Sequence, residues 1–280
     1  MGNAGRLFTN YKKSVTIYSV NKNVQEFRSY LEARYRPGTA KVYADAVARW
    51  LSSTNGVAPT QESAQAYINS LIKDGLSSST VNLRAHSIKK WFKWQGSKIE
   101  LDYPTSIRPR DPEYLSPAEL KKVISVCRTP LEKALVVVLF DTALRISELL
   151  NIRVSDIDWE NGLLSVTRKG GWVDKVNISG KGIEALKEWL SHRPVNDTKV
   201  FGSIEYYDAW RLLKKIGQRA KLSINLRPHI FRHSRAIQML MKGATIQDVM
   251  LHLGHKNMNT TASIYGRFKA VDLKRRIPQW

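Results

Sequence analysis

Arg145, Lys169, His229, Arg232, His255 and Tyr265 stand out in this 280-residue chain by their types and their order. Two arginines, a lysine, two histidines and a tyrosine are poor ingredients for a metal site, because they include neither carboxylate nor thiolate. They suit holding a phosphodiester while a tyrosine oxygen attacks it. As phosphorus becomes five-coordinate, its nonbridging oxygens need fixed positive charge. Arginine supplies that as a planar fork that stays protonated. The nucleophile needs help losing its proton, since a free phenol has a pKa of about 10. The leaving sugar oxygen needs an acid. Positioning and electrostatics then supply most of the rate.

Taken singly, each residue also has an ordinary reading. Arg145, in Asp-Thr-Ala-Leu-Arg-Ile-Ser-Glu, follows an apolar helix, and Glu148 three residues on can orient it or simply pair with it at the surface. His229 and Arg232 share one helix face at i, i+3 behind Pro228. A capping histidine and a solvated arginine would look the same. Lys169 sits on an expected hairpin tip, where most lysines are merely solvated. Gly254 ends a helix in a left-handed turn and leaves His255 at a corner. Tyr265 alone reads as a core aromatic beside Ile264.

The elements that must position these residues are mostly helical. Apolar stripes at three and four spacing place helices over Val24–Leu31, Val42–Trp50 and Ala64–Leu71. A fourth runs from a cap at Ser79 or Thr80 to Trp94. Its stripe is Val81, Ala85, Ile88 and Phe92, with Arg84, Lys89, Lys90 and Lys93 off it as candidate DNA contacts. Residues 1–20 read as a basic arm and 21–102 as a helical module. Residues 103–112 read as an extended linker with Pro104, Pro109 and Pro112 around Arg108 and Arg110. The second module, 113–280, opens at Ser116-Pro117-Ala118-Glu119, a helix start with proline first and glutamate third. Two β-rich runs, Leu163–Thr167 and Val173–Ile178, flank Arg168-Lys169-Gly170-Gly171 as a hairpin. Further helices are expected over Gly182–Leu190, Tyr206–Ala220, Pro228–Met241, Thr245–Leu253 and Asn259–Ala270. The fold class is mainly α with a small antiparallel sheet.

The charge balance agrees with a polyanionic partner. Lys and Arg number 45 against 24 Asp and Glu, a net charge of +21. The excess is shared, with 17 basic against 8 acidic residues up to position 112 and 28 against 16 after it. Such sharing suits two modules gripping one nucleic acid and does not resemble a single basic tail. A membrane partner finds no lipidation motif, and the longest apolar run, Ala134–Phe140, is too short to span a bilayer. The single cysteine, Cys127, excludes an intrachain disulfide and a cysteine-based zinc site. With no signal peptide in view, a cytoplasmic, nucleoid-associated protein is expected.

In order and spacing, the chain resembles the tyrosine recombinases, the family of phage integrases and Xer-type enzymes. Thr-Ala-Leu-Arg-Ile-Ser-Glu-Leu-Leu is similar to the first arginine box. Arg-Pro-His-Ile-Phe-Arg-His-Ser is similar to the H-x-x-R box, and Leu-Gly-His-Lys-Asn-Met-Asn-Thr-Thr-Ala-Ser-Ile-Tyr to the final box with its nucleophile. The resemblance implies an N-terminal helical core-binding domain and a C-terminal mixed catalytic domain. It implies that Tyr265 forms a 3′-phosphotyrosine, that Arg145 and Arg232 clamp the phosphate, and that His255 hydrogen-bonds it. His229 would assist the tyrosine proton, Lys169 would be the acid, and Glu148 would support the site. Duplex DNA is the implied partner, a homotetramer on two sites the implied assembly, and no cofactor is implied. Three departures are visible. Ala143 replaces the usual glycine. The hairpin reads R-K-G-G-W-V-D-K where G-K-G-x-K-x-R is common, which leaves Lys169 and Lys175 both open as the acid. The separation from His255 to Tyr265 is one residue longer than usual. Two alternatives remain: a type IB topoisomerase, which would relax DNA lacking any specific site, and a non-catalytic sequence-specific DNA-binding protein, which would bind without cleaving.

Overall fold

The computed structural model describes residues 23–54, 58–104, 112–168, 170–193, 198–202, 204–255, 261–262 and 264–265. The N-terminal arm, Arg108, Arg110, Lys169 and the segment after Tyr265 lie outside the described residues. The chain divides into two compact units, Met1–Arg108 and Pro109–Trp280.

The first unit contains α1 (residues 23–32), α2 (Pro37–Ser53), α3 (Gln61–Lys73) and α4 (Ser78–Trp94). Their apolar stripes meet in one core that includes Phe27, Leu31, Val47, Trp50, Ile68 and Ile88. Trp50 anchors it, with its ring 5.4 Å from Trp91 and 5.6 Å from Phe92. Two details of this unit differ from expectation. Val42 is 45 % exposed, and the buried face of α2 runs through Ala40, Ala44, Val47 and Leu51. The cap of α4 is Ser77, whose extended backbone lets its Oγ accept from Thr80 N at 3.3 Å. A run of three serines and a threonine makes that boundary ambiguous by residue type alone.

The second unit begins with α5 (Pro117–Ser125), where Ser116 and Glu119 form the expected capping box. It continues through the buried α6 (Pro130–Thr142), the one-turn α7 (Ile146–Leu149) and a 3-10 turn at Val154–Asp156. The sheet has three antiparallel strands in the order β1 (Ile157–Asp158), β2 (Leu163–Thr167) and β3 (Val173–Asn177). The expected hairpin is β2–β3, with Leu163 opposite Asn177 and Thr167 opposite Val173. β1 was too short to show a period. The helices α8 (Gly180–Ser191), α9 (Tyr206–Arg219), α10 (Pro228–Met241) and α11 (Ile246–Leu253) complete the unit. Most of its apolar side chains form one core around α6. A smaller cluster joins Ala143, Ala236, Ile237, Leu240, Val249, Leu253 and Tyr265, where the ends of α6 and α11 meet α10.

Candidate active site

Two tight corners bring the sequence-separated residues together. The first is Ala143, the residue ending α6, at φ 52° in the left-handed region that alanine enters at a cost. It turns the chain so that Arg145 becomes the cap of α7. The second is Gly254, at φ 63°, which ends α11 and delivers His255. Glycine suits this left-handed corner, and a Cβ there would lie 2.6 Å from Cζ of Arg168 and displace that side chain.

Arg232 bridges the two corners from α10. Its Nη1 donates to the Ala143 carbonyl and its Nη2 to the Leu253 carbonyl, both at 2.7 Å. The residue is 5 % exposed. Burial lowers its pKa to about 10 and Arg145 adds to that, yet it stays protonated at neutral pH. Arg145 gives Nη1 to Glu148 Oε1 at 2.7 Å and its backbone N–H to Oε2 at 2.9 Å. The Arg145 side chain keeps 35 % of its surface open. Burial pushes the Glu148 carboxyl up, but hydrogen bonds from Arg145 and the charges of Arg168 and Arg145 outweigh it. The net shift is downward, so the carboxylate stays ionised.

Tyr265 is 1 % exposed and packs in the cluster with Ala143 and Leu253. Burial raises its phenol to about 12, against the lowering influence of Arg232. Its Oη lies 2.6 Å from Nδ1 of His233, a residue that the sequence reading passed over. His233 and His229 sit one turn apart on α10 with ring centroids at 6.4 Å. His233 is lowered to about 4 by burial and then by the neighbouring His229 and Arg232. A neutral His233 protonated at Nε2 accepts the phenol hydrogen bond at Nδ1. His229 is also lowered, by burial and then by Arg232, Arg145 and Arg227. His255 holds Thr261 Oγ1 through Nδ1 at 2.8 Å, and burial with Arg232, Arg145 and Arg168 lowers it to about 4. Four of the expected residues, Arg145, His229, His255 and Tyr265, thus lie within electrostatic reach of a fifth, Arg232, with Glu148 holding Arg145. The missed ones are His233, Thr261, Arg168 and Asp174. The i, i+4 spacing of His229 and His233 was the available signal for the first.

Lys169 lies outside the described residues. Its rival Lys175 is exposed on β3 opposite Ser165 and acts electrostatically on Asp158. Strand alternation puts it on the face away from Asp174, which contacts Arg168. In the first unit, Arg84 donates to the Tyr67 hydroxyl at 2.5 Å and Lys90 to the Tyr35 hydroxyl at 2.6 Å. Lys89 reaches Glu100 at 3.4 Å and lies over the Tyr103 ring, while Lys93 is exposed.

Three half-buried imidazoles predict an acid sensitivity. His233, His252 and His255 have folded-state pKa values of about 4, below an unfolded value of about 6.5. The unfolded chain therefore binds more protons below pH 6.5, and the folded state loses stability from there towards pH 4. Melting temperature should fall between pH 7 and pH 5, and His252→Gln, which removes the imidazole beside Arg235, should flatten that slope.

The sequence from 113 to 270 matches the phage integrase family. Tyrosine recombinase XerA of Pyrococcus horikoshii is 30 % identical over 92 % of this chain and 93 % of its own length. A crystal structure of XerA recombinase aligns with TM-score 0.56 at 24 % identity, over 92 % of this chain and all of that one. A Tn1549 transposon integrase in complex with transposon right end DNA aligns with TM-score 0.66 at 19 % identity, over 90 % of this chain and 98 % of the other. With most of the second unit matched by one family and nearly the whole chain aligned to a relative at 30 % identity, the protein belongs to the phage integrase family and is a Xer-like, tyrosine-type site-specific recombinase.

Proposed function

We propose that the protein cuts and rejoins duplex DNA through a covalent 3′-phosphotyrosine on Tyr265. The observation that carries this reading is the hydrogen bond between the Tyr265 hydroxyl and His233, formed across 32 residues and under the charge of the buried Arg232. The phenol oxygen bonds to phosphorus while the P–O bond to the 5′ oxygen breaks. The phenol proton leaves through the His233–His229 pair, and the departing oxygen takes a proton from Lys169. Lys175, on the strand face away from Asp174, is the alternative acid. Arg145 and Arg232 neutralise the nonbridging oxygens, and His255 hydrogen-bonds one of them. The new bond stores the phosphodiester's energy, so a free 5′-hydroxyl can reverse the step without a cofactor.

The remaining assignments follow the same reading. Residues 1–20 form an arm, 21–102 a core-binding domain, 103–112 a linker and 113–280 the catalytic domain. Arg84, Lys89, Lys90, Lys93, Arg108 and Arg110 contact the backbone, four subunits assemble on two sites, and the protein works in the cytoplasm at the nucleoid. Positive charge in both halves supports a duplex partner, and the related Tn1549 fold is solved with DNA.

Selection from a random duplex library yields the bound site. A duplex of that sequence, nicked beside the cleavage position so that the short product strand diffuses away, then traps the intermediate. Protein joined to a 3′ end, with a 5′-hydroxyl on the other fragment, is the expected product. Tight binding with no adduct at any pH overturns the reading, and relaxation of supercoiled DNA lacking the site replaces it with a topoisomerase.

A further inference from the structure

Arg168 is the most deeply buried cation among the described residues and has no role in the proposed chemistry. Its side chain is 2 % exposed, on a hairpin whose charged residues would ordinarily be solvated. Nη1 donates to Glu148 Oε2 at 3.0 Å, while Nε and Nη2 donate to Asp174 Oδ2 at 3.2 and 3.1 Å. Its backbone N–H takes the Trp172 carbonyl at 2.9 Å and so closes the turn. The guanidinium lies against Gly254, one residue before His255, close enough that a Cβ there would displace it. Aligned on Lys169, positions 168 and 174 are two of those at which this hairpin departs from G-K-G-x-K-x-R, and the two substituted residues are each other's partners.

We infer that Arg168 is a positioning residue for the recombination chemistry: it fastens the Glu148 carboxylate, and through it the Arg145 guanidinium, to the β2–β3 hairpin and the Gly254 corner. One carboxylate joins both arginines, with Oε1 on Arg145 and Oε2 on Arg168. The groups facing it are Arg145 on its own turn, Arg168 and Asp174 from the hairpin, and Arg232 from α10. Burying an ion is costly without a matched partner. Without Arg168, Glu148 would be held by Arg145 alone, would protonate more readily, and would release Arg145 when it did. The inference rests on the recombinase reading for its catalytic consequence. Its structural core can be read in the DNA-free protein.

The test compares Arg168→Gln, Arg168→Lys and Asp174→Asn with the parent protein. Asp174 is partly exposed, so Asp174→Asn is the variant expected to fold if Arg168→Gln does not. Carbon-13 titration of the Glu148 carboxyl, without DNA, should show it moved up by about one unit or more in Arg168→Gln. Asp174→Asn removes a neighbouring anion while keeping the Arg168 charge, so the Glu148 carboxyl should move down there by a smaller amount, and Arg168→Lys should show partial recovery. On the trapping duplex, the acid limb of adduct formation should follow the Glu148 carboxyl, to higher pH in Arg168→Gln and not in Asp174→Asn, with DNA affinity unchanged within about twofold. A Glu148 titration that stays in place in both Arg168→Gln and Asp174→Asn overturns the inference, as does a rate loss uniform across pH. If the parent forms no adduct, the recombinase reading fails on its own and the titration still decides the role of Arg168.

Discussion

Tyr265→Phe should abolish covalent capture of DNA, by a factor on the order of 10⁴ or more, while hardly disturbing the fold. The contrast follows from what the hydroxyl does. The ring fills the cluster with Ala143, Val249 and Leu253, and phenylalanine fills the same space. Only the bond to His233 Nδ1 is lost. One such bond contributes about 1 kcal/mol, which for a unit of this size moves Tm by about 2–4 °C. Single-turnover trapping on the nicked duplex, alongside calorimetry, reads both quantities. A variant that still forms the adduct would mean that another side chain is the nucleophile.

Glu148→Ala should do the opposite and damage stability and cleavage together. It strips Arg168, 2 % exposed, of one of its two carboxylate partners, and it removes both contacts that hold Arg145. Breaking a buried pair from one side costs about 3–5 kcal/mol, a fall in Tm on the order of 10 °C. The charge also has a pH signature. The folded carboxyl lies below its ordinary value, so its stabilisation is complete above about pH 4.3 and fades as pH falls through the lowered folded value. Glu148→Gln keeps the shape without the charge, and should recover packing but not cleavage. Calorimetry at pH 7, set against the trapping rate, separates the two losses.

Much of this architecture was legible in the residues because its signals are local. Pro228 at the first helical position and Ser116 with Glu119 announce α10 and α5. Gly254 announces its left-handed corner, and the β2–β3 hairpin shows in its β-branched runs. The boxes carrying Arg145, His229, Arg232, His255 and Tyr265 could be read in order for the same reason. What escaped depends on distant chain. Arg168 looks like a solvated turn residue until Gly254, 86 positions later, is seen lying on its guanidinium. His233 was overshadowed by the H-x-x-R pair, and its importance comes only from Tyr265 arriving 32 residues on. Val42 fits an apolar spacing and still faces outward, because the bundle's alanines set the buried stripe of α2.

Arg232 shows how closely folding and chemistry are tied in this chain. Its two nitrogens take the carbonyls at the ends of α6 and α11, where each helix dipole is negative. The residue proposed to grip DNA therefore also acts as the shared terminal cap of two helices. A lysine could replace its charge but not reach both carbonyls at once. A substitution at this position therefore acts on two separate grounds, and a loss of activity in Arg232→Lys would report a loosened scaffold as much as a weakened grip.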